Sequence, residues 1–344
     1  MYKILFLVFL AVGIAAALIG CSKDKVPGSD QTQAAAGMAE RPLAAVLSPE
    51  GRILTLGFSQ LGSESDWRRA NTRSIQQAAD EAGIRLELNN AEQSQEKQFE
   101  AIRSFIQKRV DVIAIAPVVK QGWEPILQEV KQANIPVIII DRFIDVEDPA
   151  LYLTFIGSDF YQEGQRAGKY VLDKLSDHKG SIGIAELKGT EGSAPSIDRG
   201  RGFREVIRKR ADMEIVESAY GDFTFDQGKR IMRDFLQRQG KRIQVVFAHN
   251  DDMALGALEA MEEYGLTPGQ DIIIVSVDGT KKALEELVRG RINSVVECNP
   301  MLGPGLMQAI RELYDGRTLP KRILTPEGIF TEVTAEGEVH QRLY

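Results

Sequence analysis

Cysteine, histidine and aromatic residues are scarce in this chain of 344 residues, which holds two Cys, three His and 7% Phe, Trp and Tyr. Two cysteines exclude a disulfide scaffold. The histidines, His178, His249 and His340, form no pair at metal-ligand spacing, so a His-based metal centre or catalytic triad has little to work with. An excess of positive charge is also missing. With 42 Lys+Arg against 49 Asp+Glu and a net charge of −7, the chain lacks the basic balance of a nucleic-acid binder. The glycine-rich pieces Gly62-Ser63 and Gly200-Arg201-Gly202 carry neither the dinucleotide fingerprint nor a Lys-Ser/Thr phosphate loop. What is present, 43% hydrophobic and 26% charged residues, is too apolar for a disordered chain and describes a soluble globular protein long enough for two lobes.

The one long hydrophobic run is at the start. Met1-Tyr2-Lys3 carries one positive charge, Ile4 to Gly20 carries none, and the chain turns polar from Ser22 onward. A charged start, an apolar stretch and small residues before a break describe an export signal over residues 1–20, a little short for a lasting membrane span. Leu18-Ile19-Gly20-Cys21 resembles the bacterial lipoprotein box, which implies that Cys21 becomes the lipidated first residue of the mature protein; an uncleaved anchor is the alternative. Residues 21–50 read as a tether rich in Gly, Ser, Gln, Ala and Pro. With Cys21 lipidated, Cys298 has no partner for an intramolecular disulfide and reads as a buried small hydrophobe.

From Arg52 onward, short β-rich runs alternate with helix-period stretches. The runs include Ile53 to Phe58, Val110 to Ala116, Val137 to Ile140, Ile182 to Leu187, Val245 to Phe247 and Ile272 to Val277. Runs that are apolar throughout predict strands buried on both faces, as in a parallel sheet covered by helices on either side. The fold class is therefore α/β, with about ten strands in two doubly wound lobes. Ligands of such folds collect at the carboxyl ends of the strands, which puts a site in the cleft between the lobes. The polar residues at those ends are Asp141-Arg142, His249-Asn250-Asp251-Asp252, Asp278-Gly279 and Glu297, with Arg199 near the start of a helix. Carboxylates, guanidiniums, an amide and aromatics in one cleft suit a small polyhydroxylated ligand: the polar groups pair with adjacent hydroxyls, and a ring face covers the C–H side of a sugar.

At these residues the chain resembles the type I periplasmic substrate-binding proteins of ABC transporters for pentoses and hexoses. The resemblance runs over roughly residues 52–325 and rests on Gly57 to Ser65 with Trp67-Arg68, Ile115 to Val118 with Gly122 to Pro125, Asp141-Arg142, Ala248 to Met253 and Asp278-Gly279. The first two stretches look most like the galactofuranose-binding branch. The resemblance implies that Trp67, Arg68, Asp141 and Arg142 grip a sugar from one lobe, and that Arg199, Phe223, Asn250, Asp278 and Glu297 approach from the other. In the ribose branch the position of Glu297 is Gln. It also implies three crossings between lobes, near Gly157, Cys298 and Thr325, with an N-terminal lobe of residues 51–156 plus 298–325 and a C-terminal lobe of 157–297 plus 326–344.

Each of these residues has a plainer reading. Asp278-Gly279 alone is a turn, Trp67 and Trp123 alone are core, and Asp251-Asp252 alone cap a helix. Opposed acids such as Asp141, Asp278 and Glu297 could form a glycosidase pair, but arginines beside them would keep them ionised, which suits gripping over proton donation. The same fold in sugar-responsive repressors carries a DNA-reading module where this chain has an export signal. The expectation is a monomeric, cofactor-free, non-enzymatic receptor. It would work in the periplasm or on the outer face of the cytoplasmic membrane, delivering a monosaccharide to an ABC transporter permease, or else presenting it to a chemoreceptor or sensor kinase.

Overall fold

The structure, a computed structural model, describes Ser48 and residues 51–344. The export signal, Cys21 and almost all of the tether lie outside the described residues. Among the described residues, twelve strands are distributed over two six-stranded sheets. They are β1 (Thr55–Gln60), β2 (Arg85–Asn90), β3 (Val112–Ile115), β4 (Val137–Ile140), β5 (Thr154–Gly157), β6 (Ile182–Lys188), β7 (Met213–Tyr220), β8 (Ile243–Ala248), β9 (Ile273–Asp278), β10 (Ser294–Glu297), β11 (Arg322–Leu324) and β12 (Ile329–Thr331).

The first sheet has the order β11-β5-β4-β3-β1-β2 and the second β12-β10-β9-β8-β6-β7. All pairings are parallel except that of β10 with β12. The central strands follow the expected rule: β3 (Val-Ile-Ala-Ile) and β4 (Val-Ile-Ile-Ile) are buried at every position. The edge strands depart from it. In β2 the residues are half-buried or exposed, and in β7 Met213 alone is buried, because an edge strand has a neighbour on one side only.

Between the strands run α1 (Asp66–Glu81), α2 (Gln95–Lys108), α3 (Glu124–Gln132), α4 (Phe160–Lys174), α5 (Ala194–Ile207), α6 (Phe225–Gln239), α7 (Asp251–Glu263), α8 (Lys281–Val288) and α9 (Gly303–Tyr314). Side-chain caps start several of them: Ser65 accepts from the Arg68 amide, Ser94 from Lys97 and Asn250 from Met253. The chain passes between the sheets after β5, after β10, and again between β11 and β12. No helix among the described residues is long and apolar enough to cross a membrane.

Helices α4 and α5 pack unusually closely. A Cβ on Gly164 would lie 2.0 Å from the Arg199 carbonyl oxygen, and one on Gly202 2.1 Å from that of Tyr161. Glycine at both positions lets the two backbones touch, and this brings Glu163 of α4 against Arg199 of α5.

Candidate functional site

The carboxyl ends of both sheets face one cavity. Its lining includes Trp67, Arg68, Asp141, Arg142, Arg199, Phe223, Asn250 and Asp278, eight of the nine residues singled out from the sequence. Glu297 is the exception. Successive side chains of a strand point to opposite faces. Cys298, next in the chain, reaches the cavity, whereas Glu297 pairs with Arg342 at 3.0 Å and accepts from the Gly328 amide. The lining also holds Glu64, Ser65, Phe160, Pro195 and Cys298, which residue-by-residue reading missed. Glu64 and Ser65 belong to the loop after β1, whose sequence signal is carried by the whole segment and by no single residue; Phe160 and Pro195 lie in helical first turns and carry no signal of their own.

On the first-sheet side, two arginines and two acids interlock. Arg68 pairs with Asp141 at 2.6 Å and with Glu64 at 3.2 Å, while Arg142 lies 3.8 Å from Glu64 and 3.9 Å from Asp141. Arg142 Nη1 also donates to the Val118 carbonyl at 3.0 Å. All four side chains are buried. Burial disfavours the cation of Arg142, and Arg68 repels it, which together push its pKa down to about 10. Arg68 moves up: burial acts against its charge, but Asp141 and Glu64 outweigh burial.

On the second-sheet side, Arg199 pairs with Glu163 at 2.6 Å, donates to the His249 carbonyl, and lies 3.8 Å from Asp278. Asp278 is raised well above the usual carboxylate range, first by burial and then by Asp251; Arg199 opposes this without prevailing. The arginine expected to hold Asp278 ionised is thus only a weak partner for it, since Arg199 is engaged more closely by Glu163. Asn250 spends its side chain on structure, capping α7 and donating to the Phe223 carbonyl at 3.0 Å. Asp251 is no mere cap: fully buried, it accepts from Ser276, the Gly279 amide and Thr280, which fixes the turn carrying Asp278.

Aromatic faces complete the lining. Trp67 is 5% exposed and donates its indole N–H to the Cys298 carbonyl at 2.6 Å, so its polar edge is satisfied. Phe223 presents its ring to the Arg142 guanidinium, and Phe160 to that of Arg199. Trp123 is core, donating to the Val119 carbonyl. Three site residues, Asp141 (φ 64°), Phe223 (φ 62°) and Asp278 (φ 133°), hold backbone conformations that side chains rarely adopt, strain of a kind that collects at ligand clamps. Glu64 Oε2, Arg142 Nε and Ser196 Oγ are buried without hydrogen-bond partners. Such groups are costly unless a ligand or water meets them.

The two halves touch outside the cavity as well. The Lys120 amide donates to the Gly192 carbonyl at 2.9 Å, the Asp66 amide to Asp252 at 3.2 Å, and Lys282 pairs with Asp66 at 2.7 Å. Each contact joins a residue beside the first sheet to one beside the second, so the cleft is shut.

Two sheets joined by three crossings, with a polar cleft closed from both sides, define a bilobal solute receptor. The chain belongs to the periplasmic binding protein family: the family model described as a periplasmic binding protein domain matches residues 56–318. It is similar to the galactofuranose-binding protein of Escherichia coli (strain K12), 40% identical over 292 residues that cover 84% of this chain and 91% of that protein. Among solved structures it is similar to a Mycobacterium smegmatis protein in complex with β-D-fucofuranose, at 50% identity and a TM-score of 0.81, covering 83% of this chain and 93% of the other. It is also similar to the periplasmic binding protein of the arabinose ABC transporter from Shewanella sp. ANA-3, bound to α- and β-L-arabinofuranose. That match has 45% identity, a TM-score of 0.81, and covers 84% of this chain and 95% of the other.

Proposed function

We propose that this protein captures a monosaccharide in its furanose ring form within the cleft and hands it to the permease of an ABC transporter. It would work outside the cytoplasm as a monomer, held to a membrane by lipid on Cys21. One observation carries the binding half: a cavity at the strand ends in which Arg68, Asp141 and Arg142 face Arg199, Asp278 and two phenylalanine rings. Paired acids and guanidiniums offer acceptors and forked donors to vicinal hydroxyls, and the rings cover a C–H face. The preference for a furanose rests on the ligands of the similar proteins.

Binding would shut the cleft by hinge motion, since only the closed form presents both sets of contacts to the ligand. Calorimetric titration with galactose, L-arabinose, fucose, ribose and glucose tests the reading. Binding of one or two of these, lost in Arg142→Ala and Asp278→Ala, is the expected outcome. No heat with any of them would overturn it. For the anchor, Cys21→Ser should release the protein from membranes in fractionated cells.

A further inference from the structure

The three crossings between the sheets converge on a single oxygen. Glu327 Oε1 accepts from Ser158 Oγ at 2.6 Å, from the Asn299 amide at 2.9 Å and from Thr325 Oγ1 at 2.9 Å, one donor from each crossing. Beside it, a carboxylate oxygen of Glu163, one of Glu327 and the Cys298 sulfur all lie within 4.8 Å of one another. Glu163 is fully buried; its Oε2 holds Arg199, while its Oε1 has no hydrogen-bond partner.

The charges here do not balance if both acids ionise. Arg199 is the cation facing the cluster, and it is shared by Glu163 and Asp278. Ser158, Asn299 and Thr325 are neutral, and burial pushes the Cys298 thiol well above its usual range, so it carries no charge. A second anion at Glu327, half-buried, would lie beside the buried Glu163 with no cation of its own, an arrangement less favourable than a protonated acid. Burial, and then the Glu163 charge, push Glu327 up to about 8.

We propose that Glu327 is a positioning residue of the ligand cleft: held neutral by a proton, it pins the three hinge crossings together and leaves Glu163 as the cluster's carboxylate, which aims Arg199 into the cavity. When that proton leaves, two carboxylates compete for Arg199 and repel each other across the hinge. The affinity half of this proposal rests on the sugar-binding reading above; the hinge half does not, and it is read without sugar.

The sign of the pH effect follows from linkage. An acid whose pKa is higher folded than unfolded binds more protons in the folded state, so stability falls as pH rises from about 4.5 to about 8. Asp251, Asp252 and Asp278 act in the same direction, so the readout is the difference between wild type and Glu327→Gln, which keeps the acceptor and stays neutral.

Melting of the sugar-free protein from pH 5 to 8.5, and calorimetric titration of the sugar found above from pH 7 to 9.5, make the test. We expect the wild type to lose Tm relative to Glu327→Gln across the first range, and to lose at least about fivefold more affinity than the variant across the second. Parallel profiles, or a variant uniformly less stable and weaker at every pH, would overturn the proposal. Titration with Zn²⁺ is the third arm. A rise in Tm that is lost in both Glu327→Gln and Cys298→Ser would replace the proton with a cation and defeat the proposal. If no sugar binds at any pH while the Tm difference persists, the hinge assignment stands and the sugar reading falls.

Discussion

The guanidinium carbon of Arg142, at the end of β4, lies 5.0 Å from the centre of the Phe223 ring, which follows β7 in the other sheet. A cation over an aromatic face is attractive, more so when desolvated. Here it also spans the cleft, so the contact exists only when the cleft is shut. Both side chains line the cavity, and a ligand ring would meet the same two groups.

Arg142→Ala should therefore be severe. Removing one member of a buried charge network leaves the others unpaired, typically at a cost of roughly 2–5 kcal/mol, or more than about 30-fold in affinity. Arg142→Lys should recover little of this, since a lysine lacks the fork that serves both the Val118 carbonyl and the acids. Titration calorimetry of both variants at one pH checks the order.

Gly189 protects the Phe223 ring. A Cβ there would sit 1.8 Å from Phe223 Cζ, so Gly189→Ala must displace the ring. Overpacking of this kind costs about 1–3 kcal/mol of stability. The expected result is a lower Tm together with at least about tenfold weaker sugar binding. Adding Phe223→Leu should restore Tm and leave affinity low.

Asp252 gives a pH signature distinct from that of the hinge. Burial and the nearby Asp66 push it up to about 7, while Asp66 itself is lowered: burial opposes this, but Lys282 and Arg69 overcome it. A raised acid contributes stability at low pH that is lost as pH climbs from the ordinary carboxylate range to about 7. Asp252→Asn should flatten that decline in Tm between pH 4 and pH 7, since the amide oxygen can still accept from the Asp66 amide.

The Lys282–Asp66 pair, 2.7 Å apart across the cleft mouth, has a lysine that is 68% exposed. Exposed pairs contribute about 0.2–1 kcal/mol and are screened by salt. Lys282→Ala should accordingly weaken binding less than about fivefold, and the difference from wild type should vanish at 0.5 M NaCl. Small-angle scattering without ligand should show a modest shift toward more open molecules.

Much of this architecture is written in local patterning. Val137 to Ile140 and Val112 to Ile115 are buried because every position is apolar, and the α/β class follows from their alternation with helices. The short strands β11 and β12 escape such reading: Arg322-Ile323-Leu324 and Ile329-Phe330-Thr331 are strands because of what they pair with, not through any run of their own. The exchange of segments between sheets is equally silent, since a strand has the same composition whichever sheet receives it. At the site, side chains at strand ends were legible as polar residues after apolar runs. The direction of Glu297 was not, because a strand's phase fixes which of two neighbours faces the cleft, and here that neighbour is Cys298. The role of Glu163 was hidden inside α4, where only the close packing at Gly164 brings it to Arg199.

The central claim, a furanose held in the closed cleft, is tested most directly by carbon NMR of galactose and L-arabinose labelled at C1, titrated with the protein. The furanose form is a minor component of these sugars in solution. The account predicts that furanose anomeric signals broaden or shift on addition of the wild-type protein and do not change with Arg142→Ala. Broadening confined to pyranose signals, or no change in any signal at saturating protein, would contradict it.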